Sequence, residues 1–331
     1  MSETSPALFA PRACPLCGSA QGKNLLRLSG GSIIESNWSY RSDAAALLAL
    51  PKGQTFPIDE CGACGFIYAA LLPSAAFLDD IYDRVIDPDL ARNANLSRAN
   101  LARKMSDMAA LFEVHGSSGR PLRLLDYGCG FGPTLQVMRN LPGVNSLGFE
   151  TSAARLQDLS RRGLAATGDL ANVASQGPYD VVLLDNVLEH LPQPREVLEF
   201  VRGVSAAAAL LYVSVPDTGR QIIRDQGRAR PIRMDINPWE HLNYFDIRHL
   251  DKLLGEFGFH PVGQMALPEQ VRIGLRASPT LGSRVKNGVA SAARLCRYIW
   301  RGEGLASVTR RFYRLAAHAG AHARATGAVT P

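Results

Sequence analysis

A chain of 331 residues with ordinary apolar and charged fractions is long enough for one large domain and smaller parts. Its formal charge of +6 is uneven: from Leu281 onward nine Lys or Arg stand against Glu303 alone, so the preceding body is near neutral. The high pI is therefore no sign of a nucleic-acid-binding catalytic domain, and the longest mostly apolar run, Val204 to Val215, is too short to span a bilayer. Met1 to Arg12 lacks the apolar core of a secretory signal, which makes a cytoplasmic protein the expectation.

Four of the six cysteines lie in two similar pairs, Cys14-Pro15-Leu16-Cys17-Gly18 and Cys61-Gly62-Ala63-Cys64-Gly65. Each pair can turn two thiolates toward one point, and four thiolates make a closed structural zinc site with no position left for substrate. Free buried cysteines and a redox pair are the alternatives. Residues 1–72 are expected to form this zinc-binding module, with Phe66-Ile67-Tyr68 as a strand leaving the second pair. Pro73 to Tyr82 has the pattern of a helix capped by Ser74. In a second helix, Leu96 to His115, Leu101, Met105, Met108 and Phe112 share one face. That face suits either core packing or a lid, so 73–119 is a helical connector or lid, ending in the linker Gly116-Ser117-Ser118-Gly119.

From residue 120 strands and helices alternate, which predicts a mostly parallel, doubly wound α/β sheet over 120–280. A short apolar strand around Leu124-Leu125 runs into Asp126-Tyr127-Gly128-Cys129-Gly130-Phe131-Gly132, and a helix begins near Thr134. Glycines at such a turn let a ligand lie against the backbone beyond the strand ends. Val144 to Phe149 is the next strand, ending at Glu150, where an acid suits the ribose hydroxyls of an adenosine. Asp169 follows a third strand, where a carboxylate can accept from an adenine amino group. A fourth strand, Tyr179 to Leu184, ends at Asp185-Asn186. An acid just before the glycines is poorly placed beside a pyrophosphate and well placed beside an ammonium or sulfonium, which selects S-adenosylmethionine over a dinucleotide.

Leu124 to Gly132, Glu150, Asp169 and the run Tyr179 to His190 resemble the successive motifs of class I S-adenosylmethionine-dependent methyltransferases. His241-Leu242-Asn243-Tyr244-Phe245, with the helix Ile247 to Phe257 after it, is similar to a motif near the end of many such enzymes. The resemblance covers roughly Pro121 to Ser278 and implies a seven-stranded Rossmann-like sheet with an antiparallel last strand. His260 to Ala266 and Val271 to Ala277 suit the closing strands. It implies that Asp126, Gly128, Gly130, Gly132, Glu150, Asp169 and Asp185 surround the cofactor. Together with the paired cysteines Cys14, Cys17, Cys61 and Cys64, it narrows toward the sugar C-methyltransferases of deoxysugar biosynthesis. In that group a Glu-His pair supplies the base, matched by Glu240-His241, and a histidine lining the substrate site is matched by His190. The chain departs from the group in reading Pro238-Trp239 before that pair instead of Tyr-His, which leaves C- and O-methylation both open.

The expected reaction is methyl transfer to a small acceptor, a sugar or saccharide, with His241 as base. For His241, ligand orientation and a purely structural role are alternatives; Glu240 would orient its ring or stabilise its charge. Cys129 is expected as small filler, Trp239 and Tyr244 as substrate wall or core, and the arginines of Asp217 to Asn237 as a phosphate grip or a solvated loop. O-methylation of a lipid, quinone or polyketide-like acceptor is a second reading, and a non-catalytic zinc-containing binding module a third. Nucleic acid is not expected as partner, because Asp185-Asn186-Val187-Leu188 stands where an Asn-Pro-Pro-Tyr motif would serve base amino groups.

Residues 281–331 have the pattern of a basic amphipathic helical tail. Val285, Val289, Ala292, Cys296 and Ile299 form one stripe, and Leu305, Val308, Phe312 and Leu315 another. Such helices either dock on the protein or a second subunit, or lie on the inner face of an anionic membrane.

Overall fold

The computed structural model describes residues 8–48, 50, 53–115, 120–226, 232–262 and 308–316. The N-terminal part comprises strands β1 (Phe9–Pro11) and β2 (Gly22–Ser29), helices α1 (Gly30–Ser36) and α2 (Ala44–Leu48), and strands β3 (Thr55–Cys61), β4 (Ile67–Ala69) and β5 (Leu71–Pro73). Helix α3 (Ala75–Asp80) follows and widens into a π turn at Ile81–Val85. Ser74 caps it as expected, its hydroxyl accepting from Phe77 N at 3.2 Å. Helices α4 (Pro88–Asn95) and α5 (Arg98–His115) lead to the second part.

There, strands β6 (Leu122–Tyr127), β7 (Val144–Phe149), β8 (Ala166–Thr167), β9 (Tyr179–Asp185) and β10 (Ser205–Pro216) alternate with helices α6 (Pro133–Met138), α7 (Ala153–Arg161), α8 (Leu170–Ser175) and α9 (Pro194–Val204). Helix α10 (Arg220–Gln226), strand β11 (Asn243–Tyr244), helix α11 (Ile247–Glu256), strand β12 (Phe259–Pro261) and strand β13 (Val308–Leu315) complete the order. The main sheet runs β12-β13-β10-β9-β6-β7-β8. Strands β10, β9, β6, β7 and β8 are mutually parallel, and β13 is antiparallel to both neighbours. Strand β9 is buried along nearly its whole length, which accounts for its unbroken apolar run.

The expected second tail helix is a correction. Leu305, Val308, Phe312 and Leu315 fit helical spacing, but Val308–Leu315 is an interior strand, pairing β10 from Leu210↔Arg314 to Pro216↔Val308. A short stripe is compatible with both periods, and β-branched and aromatic residues inserted between two strands favour the extended form. Two of its arginines are committed inside the protein. Arg311 Nη1 reaches both Asp251 carboxylate oxygens, at 2.8 and 3.0 Å, and Arg314 donates to the carbonyls of Ala208 and Val114. The first tail stripe, residues 285–299, the expected strand 271–277 and the linker 116–119 lie outside the described residues. Among the described residues no helix is long and apolar enough to cross a membrane.

The expected face of α5 is also shifted. Met105 is 60% exposed, whereas Lys104, Asp107, Met108 and Leu111 are buried. Partners inside the fold hold the charged pair there: Lys104 pairs with Asp185, and Asp107 with Arg103 and the Tyr212 hydroxyl. The two parts of the chain share structure. Strand β11, which follows the Glu240-His241 pair, adds to β4 and closes a four-stranded sheet in the order β11-β4-β3-β2.

Candidate active site

The turn after β6 is built as its glycines suggest. Gly128, Gly130 and Gly132 have φ values of 74, 56 and 67°, a region costly to side-chain-bearing residues. A Cβ on Gly128 would meet Val187 Cγ2 at 2.8 Å and one on Gly132 would meet Leu159 Cδ2 at 2.5 Å, so these two let the turn seat against its neighbours. A Cβ on Gly130 would meet nothing within 4 Å, so this glycine opens outward. Cys129 is buried filler against Gly148.

Three strand ends place acids around this turn. Glu150, after β7, accepts from Gly130 N at 3.0 Å and Ser152 N at 2.8 Å, with Arg155 at 3.5 Å. A carboxylate offers about four lone-pair directions, so acceptor capacity remains for a ligand's hydroxyls. Asp126 is buried at the end of β6, and burial pushes its carboxyl up to about 6 despite Lys104 and a hydrogen bond from Thr134. Asp185, at the end of β9, pairs with Lys104, whose own ammonium is driven down to about 8 by burial. Sequence reasoning missed Lys104, a cation drawn to the carboxylates expected to attract a cationic ligand. Asp169 caps α8, accepting from Ala171 N at 2.8 Å, and is exposed.

The expected catalytic residues divide. The His190 and His241 rings meet edge to face, with centroids 4.6 Å apart. Asn186, in the turn between β9 and His190, takes a left-handed φ of 55° while its N–H holds Ser214 O at 2.8 Å. His241 Nδ1 lies 2.8 Å from the Asp235 carbonyl, so that carbonyl, not Glu240, orients the ring. Glu240 Oε1 instead accepts from Tyr40 Oη at 2.5 Å, Asn237 Nδ2 at 2.8 Å and Asn37 Nδ2 at 3.3 Å. Burial raises its carboxyl, and these donors, with nearby His241, oppose that rise. Glu240 thereby ties the N-terminal part to the histidine loop. Trp239 and Tyr244 are core, Trp239 lying edge-on to Phe56 and Phe77. Arg220 pairs with Glu60 and Arg233 with Asp235, so neither stands ready for a phosphate; Arg228 and Arg230 lie outside the described residues.

Glu189 is the residue sequence reasoning passed over. It stands beside His190, 1% exposed, and its oxygens have no hydrogen-bond partner beyond the residue's own backbone amide. Tyr40 and Tyr82 were also missed; Tyr40 is buried and Tyr82 half-buried, both close enough to Glu240 to feel its charge, and no local spacing marks them.

The four cysteines converge. Cys14 Sγ is 3.7 Å from Cys64 Sγ, and Cys17 Sγ is 3.5 Å from Cys61 Sγ. Sulfurs about 2.3 Å from a tetrahedral ion lie roughly 3.8 Å apart, so the set fits zinc. The trailing glycines, Gly18 and Gly65, take φ of 75 and 78° and close each turn on Cys14 O and Cys61 O. His249 bridges Cys64 O and Asp246, docking the second pair on α11. Arg12 reaches Asn243 Oδ1, whose Nδ2 donates to the Leu188 and Leu191 carbonyls on either side of Glu189-His190.

A family model described as a methyltransferase domain matches residues 92–264. The chain belongs to that family. The methyltransferase domain has curated relatives. A ubiquinone biosynthesis O-methyltransferase of Paraburkholderia xenovorans (strain LB400) is 33% identical over 99 residues, 28% of this chain and 43% of that protein. A norajmaline N-methyltransferase of Rauvolfia serpentina is 24% identical over 148 residues, 41% of this chain and 51% of that one. The chain spans about half the length of the curated relatives it matches. Among solved structures, the plantazolicin methyltransferase BpumL in complex with a triazolic desmethylPZN analog and SAH aligns with a TM-score of 0.47 at 14% identity, covering 73% of this chain and 95% of that one. The CurJ carbon methyltransferase aligns at 0.45 and 16% identity, covering 70% and 59%.

Proposed function

We propose that this chain transfers a methyl group from S-adenosylmethionine to a small-molecule acceptor, a sugar or saccharide, with His241 as the base. The observation that carries the reading is the set of strand ends around one turn: Gly130 opening outward, Asp126 buried at the end of β6, Glu150 anchored with acceptor capacity to spare, and His190, after β9, paired with His241, before β11. When bound, the cofactor supplies an electrophilic methyl group on a sulfonium, and the displaced electron pair stays with sulfur. Asp126 and Asp185 supply negative charge for its cationic part, Glu150 accepts from its ribose, and Asp169 takes the adenine side. His241 Nδ1 donates to Asp235 O, so its Nε2 carries a lone pair able to take the acceptor's proton. His190, packed against that ring, holds the acceptor in line. Glu240 acts on this pair indirectly, through Tyr40, Asn37 and Asn237.

The sugar assignment is supported by the likeness of the paired cysteines, His190 and Glu240-His241 to the sugar enzymes. A structural zinc ion at Cys14, Cys17, Cys61 and Cys64 belongs to the same reading, as does work in the cytoplasm, with any membrane contact confined to residues 285–299. The match to a ubiquinone biosynthesis O-methyltransferase favours a second reading, O-methylation of a quinone-like hydroxyl. Purified protein, labelled S-adenosylmethionine and separate pools of nucleotide sugars and quinone precursors decide between them. Label entering the sugar pool is the expected result. Label entering only the quinone pool establishes the second reading. Cofactor binding with no transfer to either would exclude both acceptors, and no binding would end the proposal.

A further inference from the structure

We infer that Glu189, His190 and His241 form a binding site for one divalent transition-metal cation, separate from the four-cysteine site. One ligand atom from each of the three residues lies within 4.8 Å of the others. His241 Nδ1 is engaged with Asp235 O, which leaves Nε2 as a lone pair. The His241 imidazole is thus oriented through its second nitrogen by a backbone carbonyl, the arrangement usual for metal-ligating histidines. The His190 Nδ1 is buried and has no hydrogen-bond partner, so it is free to meet an ion. Glu189 contributes a carboxylate that is 1% exposed and has no hydrogen-bond partner outside its own residue. A buried carboxylate without donors is costly. Two lone-pair nitrogens and one carboxylate facing each other also repel, and a cation between them turns that repulsion into binding.

The donor set selects the ion. Two imidazoles and a carboxylate suit Mn2+, Fe2+, Co2+ or Zn2+ better than Mg2+ or Ca2+, and leave coordination positions open. The four sulfurs of the cysteine site form a closed set, so the two sites would differ in kind. The existence of the site rests on this geometry alone; its role rests on the methyl-transfer reading above. An acceptor oxygen joining the ion loses its proton to water more readily, which frees a lone pair for the methyl carbon. With the ion in place His241 Nε2 is a ligand, and it is a free base only in the metal-free chain.

Full-length protein with its cysteine site zinc-loaded tests the site. Mn2+ is the probe, because it favours nitrogen and oxygen over thiolate and its free ion is read directly by electron paramagnetic resonance. The expected result is uptake of one Mn2+ per chain, weakened at least about tenfold in both Glu189→Gln and His241→Ala, since ligand loss exceeds the tenfold or greater loss typical of the supporting shell. S-adenosylmethionine binding by the same variants, measured by calorimetry, is expected to persist and shows that they are folded. No saturable uptake by wild type at millimolar Mn2+, or equal uptake by folded Glu189→Gln protein, overturns the inference. Neither result touches the methyl-transfer reading, which fails only in its own binding and label-transfer assay.

Discussion

Replacing Gly130 by alanine separates a ligand-facing glycine from its two neighbours. At φ 56° the new side chain sits in a left-handed conformation, which disfavours the variant by about 1–2 kcal/mol. No clash adds to this, because the added methyl meets nothing within 4 Å. The melting temperature should therefore fall by only a few degrees, at roughly 2–4 °C per kcal/mol for a domain of this order. The same methyl occupies the space proposed for the cofactor. Overfilling a fitted space costs about 1–3 kcal/mol, which corresponds to roughly 5- to 150-fold in affinity. Gly132→Ala is the control: its methyl would press on Leu159 Cδ2 at 2.5 Å, so stability should drop more than in Gly130→Ala. Scanning calorimetry gives the stabilities, and titration with S-adenosylmethionine at a temperature where both variants are folded gives the affinities. If folded Gly130→Ala binds S-adenosylmethionine as tightly as wild type, the cofactor does not lie against this turn.

Further expectations concern charge, metal and the last strand. Because burial raises the Asp126 carboxyl to about 6, S-adenosylmethionine affinity should fall as pH drops through that value and the attracting charge is neutralised; Asp126→Asn should bind weakly with a flat profile, and an unchanged wild-type profile would count against Asp126 facing the cation. Protein purified without added metal should carry one zinc per chain at the four cysteines, and its removal should destabilise the N-terminal part, since such binding in small domains is on the order of 10 kcal/mol of folding free energy. Four freely titrating thiols and no metal would refute this. Deleting the chain from Val308 onward should give insoluble protein, because β10 and β12 lose the strand between them; a soluble, cooperatively melting product would contradict the sheet order.

What was legible in the sequence was local. The cysteine pairs, the glycine turn and the Ser74 cap each fit within a few consecutive residues, and each stands as expected. The β-α alternation from Leu122 to Pro216 was equally plain, because buried parallel strands leave uninterrupted apolar runs. The failures are long-range. Lys104 and Asp107 turn inward because their partners, Asp185 and Tyr212, come from strands far along the chain, and no helical periodicity encodes that. Strand β13 was hidden because a strand between two others needs no period of two. Glu240 is expected to orient its neighbour or to stabilise its charge; the ring is oriented by Asp235 through a backbone carbonyl, an atom that every residue type carries, while Glu240 remains near enough to act on the charge.

Strand β11 sets an order of events during synthesis. Strand β4 ends at Ala69 and its partner begins at Asn243, so the ribosome must add roughly 170 residues before the N-terminal sheet can close. At about 5–20 residues per second that interval is on the order of ten to thirty seconds. Throughout it the outer edge of β4 has no partner and can recruit another nascent chain. All four cysteines, by contrast, are made by residue 64. An ion captured there would pin β3 and β4 together early and hold them until the distant strand arrives. Zinc supply would then govern how much of each new chain reaches the native state, a yield fixed before any methyl group is transferred.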